Sequence, residues 1–205
     1  MHDNALTKDA TRLFPLFSKF EDFYLVGGTA LALQIGHRVS IDFDLFSFKE
    51  LPAGLLQKIR RVFPDSKREV TLRTLEQINI LIDGIKTTFF HYPYHTVLPL
   101  VEYRKVPLAS VYEIAAMKAF AIGRRLSYKD YVDWYLLLLA NHVRLHEIIT
   151  VAKKKFGGDF NDRLFLEQLV SLSDIHTAPI DYLRDPVDRS TIESFLEQTV
   201  RDFEF

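Results

Sequence analysis

Residues Phe23–Phe46 read FYLVGGTALALQIGHRVSIDFDLF. The apolar run Phe23-Tyr24-Leu25-Val26 predicts a short buried strand. It stops at Gly27-Gly28-Thr29, where paired glycines let the backbone turn sharply and approach a ligand with no Cβ in the way. Ala30 to Ile35 are mostly good helix formers, and Gly36 is placed to end that helix. A glycine turn at a helix N-terminus offers unpaired N–H groups and the positive end of the helix dipole to a phosphate. In Ser40–Phe46, Ile41, Phe43 and Leu45 are predicted on one strand face and Asp42 and Asp44 on the other. Side-by-side carboxylates repel, and a divalent cation relieves the repulsion. Mg²⁺ accepts one or two carboxylates together with substrate phosphates. Taken singly, Gly-Gly is commonly a plain turn and Asp-x-Asp a solvated strand face. In this order they place a phosphate cradle beside a metal site.

The chain has 205 residues, 48% of them apolar, which suits one large domain or two small ones sharing a core. Lys and Arg total 26 against 27 Asp and Glu, a formal net charge of −1, so no global basic surface announces nucleic-acid binding. The chain contains no cysteine, which excludes disulfides and thiolate zinc sites and suits a reducing cytoplasm. The first residues lack a signal-peptide pattern, and apolar runs such as Leu136–Ala140 are far too short to cross a membrane. A cytoplasmic protein without membrane contact is expected.

Leu6, Leu13, Phe14, Leu16, Phe17 and Phe20 predict a helix interrupted at Pro15. Leu55, Leu56, Ile59 and Val62 predict another after Pro52, which fits a first helical turn. Lys58, Arg60 and Arg61 read as its solvated face or, alternatively, as phosphate contacts. Strands follow over 69–92, with Asp83-Gly84 a strong hairpin signal. The run Phe89-Phe90-His91-Tyr92-Pro93-Tyr94-His95 reads as packing, with base stacking as the alternative for one ring. From Pro107 the pattern is helical. Ser110 and Glu113 form a capping box for a helix that Gly123 is placed to end. Ser127 is the expected cap of the next helix. Further helices are expected over about 143–156 and 161–172, with a last one capped by Ser190 and running to about Phe203.

A second constellation surrounds the turn between the first two of these helices. Lys118 and Arg125 are nearly two turns apart, and Asp130 and Asp133 share a face. On spacing alone this is either a solvated charged face or a functional cluster.

The two constellations together carry a resemblance. The glycine turn, short helix and Asp-x-Asp strand resemble the first motif of the nucleotidyltransferase superfamily. Gly36–Phe46, with Lys118, Arg125, Lys129, Asp130 and Asp133, resembles more narrowly the AbiEii/AbiGii-type toxin family. Lys129 stands where that family commonly has Arg. The resemblance implies an α+β fold: a nucleotidyltransferase-type mixed sheet with flanking helices at 1–105, then a C-terminal helical region at 106–205, the two meeting at the active site. It implies transfer of a nucleotide from an NTP to a hydroxyl, with Mg²⁺ (or Mn²⁺) held by Asp42 and Asp44. Gly27, Gly28, the Thr29 hydroxyl and Arg38 would bind the nucleotide, and Lys118 and Arg125 would clamp its phosphates. Asp130 or Asp133 would orient or deprotonate the acceptor. The implied acceptor is RNA, with tRNA leading, and the implied partner is an antitoxin. The strand Lys86-Thr87-Thr88 lacks the third carboxylate that the superfamily often places there. That departure keeps a non-catalytic nucleotide-binding protein, or a Mg²⁺-dependent hydrolase, as alternatives.

Overall fold

A computed structural model describes residues 1–122, 124–125, 127–173 and 175–204. The chain divides into two compact units, Met1–Ser110 and Val111–Phe205.

The first unit opens with helix α1, Lys8–Leu13, capped by the Thr7 side chain and continued as a 3-10 turn over Phe14–Lys19 where Pro15 forbids a regular helix. Strand β1, Tyr24–Val26, is buried on both faces. Gly27, with φ of 71°, ends it in a backbone region that side chains disfavour, and helix α2, Gly27–Ile35, begins at once. Helix α2 is apolar nearly all round and accordingly buried. Gly36 closes it in the left-handed conformation, its N–H returning 2.8 Å to the Ala32 carbonyl. Strand β2 spans Phe43–Ser47 and helix α3 Leu55–Val62. Strands β3, Arg68–Arg73, β4, Gln77–Ile82, and β5, Ile85–His91, follow. At the β4–β5 turn Asp83 and Gly84 both have positive φ, as a two-residue hairpin requires. Strands β6, Val101–Tyr103, and β7, Val106–Leu108, complete a seven-stranded mixed sheet in the order β3-β4-β5-β2-β1-β7-β6.

Strand β2 therefore lies at the centre, antiparallel to β1 and parallel to β5. Its core face sets Phe43 and Leu45 into a cluster with Phe14, Phe17, Phe20, Phe63 and Phe89. Each buried ring of this size contributes about 1.5–3 kcal/mol, so the core side of β2 fixes which residues look the other way.

The helical unit contains α4, Val111–Ala121, α5, Tyr128–Leu139, α6, Leu145–Phe156, α7, Asp162–Leu169, and α8, Arg189–Arg201. Trp134 packs on Phe165 at 5.2 Å, and Phe120 stacks on Phe156 at 4.1 Å. Arg189 ties down the preceding loop by donating to the carbonyls of Leu172, Ser173 and Ile175. No helix among the described residues is long and apolar enough to cross a membrane.

Several expectations are corrected. Residues 106–108 form a sheet strand, where the pattern from Pro107 predicts helix. The β6–β7 turn is made by Arg104 and Lys105 at positive φ, so no glycine announced it. Pro52 precedes α3 rather than forming its first turn. Ser127 flanks α5 without a side-chain capping bond, and α8 is capped by Asp188, not Ser190. Gly123 lies outside the described residues. Glu113, read as a capping-box residue, is fully buried, and its carboxylate accepts from Lys155 Nζ at 2.7 Å.

That pair has no exposed side-chain surface on either partner. Burial pushes the Lys155 ammonium below its ordinary pKa, against the opposing pull of Glu113. Lys155→Ala, which strands the carboxylate, is expected to destabilise the protein by about 3–5 kcal/mol, whereas Lys155→Met with Glu113→Leu should cost far less. Urea denaturation of both variants measures the difference.

Candidate functional site

Position in the sheet settles where each motif residue points. Asp44 is the second residue of β2, opposite Val26 on β1 and Thr88 on β5. Asp42 sits just before the strand, and Ile41 is 48% exposed rather than on the core face. Both aspartates are half-buried. The β1–β2 pairing carries Asp44 to the start of α2, where a Cβ on Gly27 would stand 2.7 Å from Asp44 Oδ2. Gly28 does the same for a cation: a Cβ there would stand 2.5 Å from Arg38 Nη2. Arg38 is buried, and its Nη1 donates to the Val39 carbonyl at 3.2 Å. The two glycines thus make room for one carboxylate and one guanidinium at the N-terminus of a buried helix.

Thr29, expected at the nucleotide, also has partners within the protein. Its hydroxyl is buried, donates to the Asp42 carbonyl and lies 2.8 Å from Ser40 Oγ. It pins the chain entering β2 to the first turn of α2 and so holds Asp42 in position. Ser40 belongs to the Gly36–Phe46 stretch, and this contact reveals its part.

Asp42 and Asp44 offer a divalent cation two hard oxygen donors. Among the described residues no group of three His, Cys, Asp or Glu side chains is arranged to hold a metal. The sheet position beside Asp44 belongs to buried Thr88. Asp83, the acid nearest β5 in sequence, is in the far hairpin turn, where a hydrogen bond from Arg12 at 2.7 Å holds its carboxyl below the ordinary value. Two carboxylates fit Mg²⁺ when substrate phosphates complete its shell.

In the helical unit the second constellation is an interior ion network. Lys118 Nζ contacts Asp130 Oδ1 at 2.6 Å and Asp133 Oδ2 at 2.7 Å. Arg125 forks onto Asp130 through Nε and Nη2 at 2.7 and 2.9 Å. Lys118, Asp130 and Asp133 are all at least 96% buried, whereas the Arg125 side chain is 55% exposed. The solvated-face reading is therefore wrong for three of the four. Burial alone would raise the Asp130 pKa, but Lys118 and Arg125 outweigh it and hold the carboxyl below its ordinary value. Asp133 has no exposed side-chain surface with which to reach an acceptor.

Similarity to known proteins agrees with this layout. Residues 11–204 match the family described as nucleotidyl transferase AbiEii toxin, type IV toxin–antitoxin system. Protein aq_aa25 of Aquifex aeolicus (strain VF5) is 32% identical over 189 residues, covering 89% of this chain and 88% of that protein. A crystal structure described as a proposed nucleotidyltransferase from H. pylori superposes with a TM-score of 0.65, at 17% identity over 95% of this chain and 94% of its own. JHP933 from Helicobacter pylori superposes at 0.54, with 14% identity over 96% and 97%. Those two likenesses speak for the fold, which is an α+β nucleotidyltransferase fold. The family match covers nearly the whole chain, both constellations included: the chain belongs to the AbiEii nucleotidyl transferase toxin family.

Proposed function

We propose that this protein transfers a nucleotide from an NTP to a hydroxyl of an RNA acceptor, with tRNA the leading candidate, as a Mg²⁺-dependent toxin restrained by a cognate antitoxin in the cytoplasm. The observation that carries the reading is the convergence of Asp44, Arg38 and the two glycines at the N-terminus of α2. The Gly28 amide and Arg38 bind the triphosphate, the amide by its N–H and Arg38 by its planar fork of donors. Asp42 and Asp44 would hold Mg²⁺, which would supply Lewis-acid stabilisation of the charge that develops on the phosphates. The acceptor oxygen bonds to the α-phosphorus and its proton passes to solvent as the bond to the departing pyrophosphate breaks. Thr29 acts through Asp42 as a positioning residue. Lys118, Asp130 and Asp133 are likewise positioning residues, fixing Arg125 at the surface of the helical unit.

Among the described residues no third carboxylate is grouped with Asp42 and Asp44, which favours, as a second reading, a nucleotide-binding protein without catalysis. Incubation with each labelled NTP, Mg²⁺ and total tRNA separates the two. Label on RNA is expected, with Asp44→Asn reducing it on the order of 100-fold or more. Free nucleotide products alone would indicate hydrolysis, and no product at all would favour the binding protein.

The buried network gives a stability prediction. Lys118→Ala leaves two carboxylates without their shared cation and is expected to cost about 3–5 kcal/mol. The folded pKa of Asp130 lies below its unfolded value of about 3.9. Its contribution is therefore complete above the unfolded value and is lost as pH falls through the folded one. Urea denaturation between pH 7 and pH 3 should show an acid loss of stability that Asp130→Asn reduces. A change below about 1 kcal/mol in Lys118→Ala would return these residues to a solvated role.

A further inference from the structure

The sheet face that carries Asp44 continues into a row of aromatic rings that the transfer reading leaves unused. The register sets Asp44 beside Thr88, and Thr88 beside Asn79. Two residues further along the same face stand Phe46, Phe90 and Gln77, because side chains of one face recur every second residue. The rings of Phe46 and Phe90 are 5.1 Å apart and steeply inclined. Tyr92 lies 5.0 Å from Phe46, and Tyr94 lies 5.4 Å from Tyr92. The Tyr92 N–H donates to the Ser47 carbonyl at 2.7 Å, so the row stays aligned with β2. Just past the end of β2 Phe48, 46% exposed, packs on the His95 ring, the ring centroids 4.6 Å apart.

These rings are not the core. Phe43, Leu45 and Phe89 on the opposite face are at most 1% exposed, whereas Phe46, Phe90, Tyr92 and Tyr94 are only half-buried. Beside them the Gln77 amide donates to the Asn79 side chain at 2.8 Å, so polar groups able to meet base edges line the same face.

We propose that this row is a stacking platform for the single-stranded 3′ end of the acceptor, running from Phe46 towards Phe48 and Tyr94 and leading the terminal hydroxyl to Asp44. The proposal rests on the transfer reading. Every base has a π-face, so an aromatic row holds a strand irrespective of its sequence. The number of rings decides between occupants: one nucleotide base covers one ring, and a row of several matches successive bases of a strand rather than the incoming NTP.

The test is fluorescence anisotropy with a 5′-labelled single-stranded RNA bearing a free 3′ hydroxyl, on wild type, Phe90→Leu and Tyr92→Leu. Leucine keeps the apolar bulk and removes the π-face. Each variant is expected to bind RNA about fivefold or more weakly, with unchanged affinity for a non-hydrolysable NTP and an unchanged melting curve. A blunt RNA duplex should compete poorly. Unchanged RNA affinity in the variants would overturn the platform, as would a loss confined to NTP binding or an absence of single-stranded RNA binding by wild type. If the strand variants lower the melting temperature, Phe48→Leu at the exposed end decides by the same readout. Wild type that labels RNA while the variants bind it normally sinks the platform and leaves the transfer reading intact. RNA binding lost in the variants of a protein that labels nothing sinks the transfer reading instead.

Discussion

Asp44 Oδ2 stands 2.7 Å from the place where a side chain on Gly27 would begin. At this position the carboxylate can come so close only because Gly27 has no Cβ, and this constraint shapes the first unit. The antiparallel register of β1 and β2 brings Asp44 opposite Val26, one residue before the glycine. The aromatic core beneath β2 prevents the strand from slipping, because a shift of one residue would turn Phe43 and Leu45 outward and the aspartates inward. Thr29 and Ser40 fix the entry to the strand, and Arg38 supplies a buried positive group over the neighbouring Gly28. The same alternation that points Asp44 away from the core also points Phe46 and Phe90 that way, so acidic and aromatic parts of one face follow from one register.

The helical unit is organised by interior charge. Lys118 between Asp130 and Asp133, and Lys155 against Glu113, are buried where unpaired ions would be heavily penalised. Such groups tie helices into one arrangement, since any other packing leaves a charge without its partner. Arg125 is the member of the first network that reaches solvent. A lysine that neutralises two buried carboxylates cannot be replaced without consequences for folding, so loss of activity in a Lys118 variant would not by itself identify a phosphate contact.

Much of the first unit was legible because its signals are local. Gly27 and Gly36 do take positive φ, the Asp83-Gly84 turn forms as read, and Asp44 does face away from Phe43 and Leu45. The signals that misled were those whose meaning depends on distant partners. Pro107 looked like the end of the sheet, yet it sits in β7, whose pairing with β1 no local pattern encodes. Glu113 looked like a capping residue because Lys155 is remote in sequence. The charges around Lys118 have the same composition as a solvated face, and only packing reveals that three of them are interior. The contacts of the Thr29 hydroxyl with Asp42 and Ser40 likewise join residues that no local pattern pairs.

Under the proposed function, Asp42 and Asp44 form an incomplete metal site that a nucleotide completes. Manganese binding followed by electron paramagnetic resonance, with and without a non-hydrolysable NTP, addresses it directly. The account predicts weak Mn²⁺ binding to the protein alone, a marked gain in affinity when the nucleotide is added, and loss of that gain in Asp44→Asn. Equally tight Mn²⁺ binding without nucleotide, or a gain that survives Asp44→Asn, would contradict it.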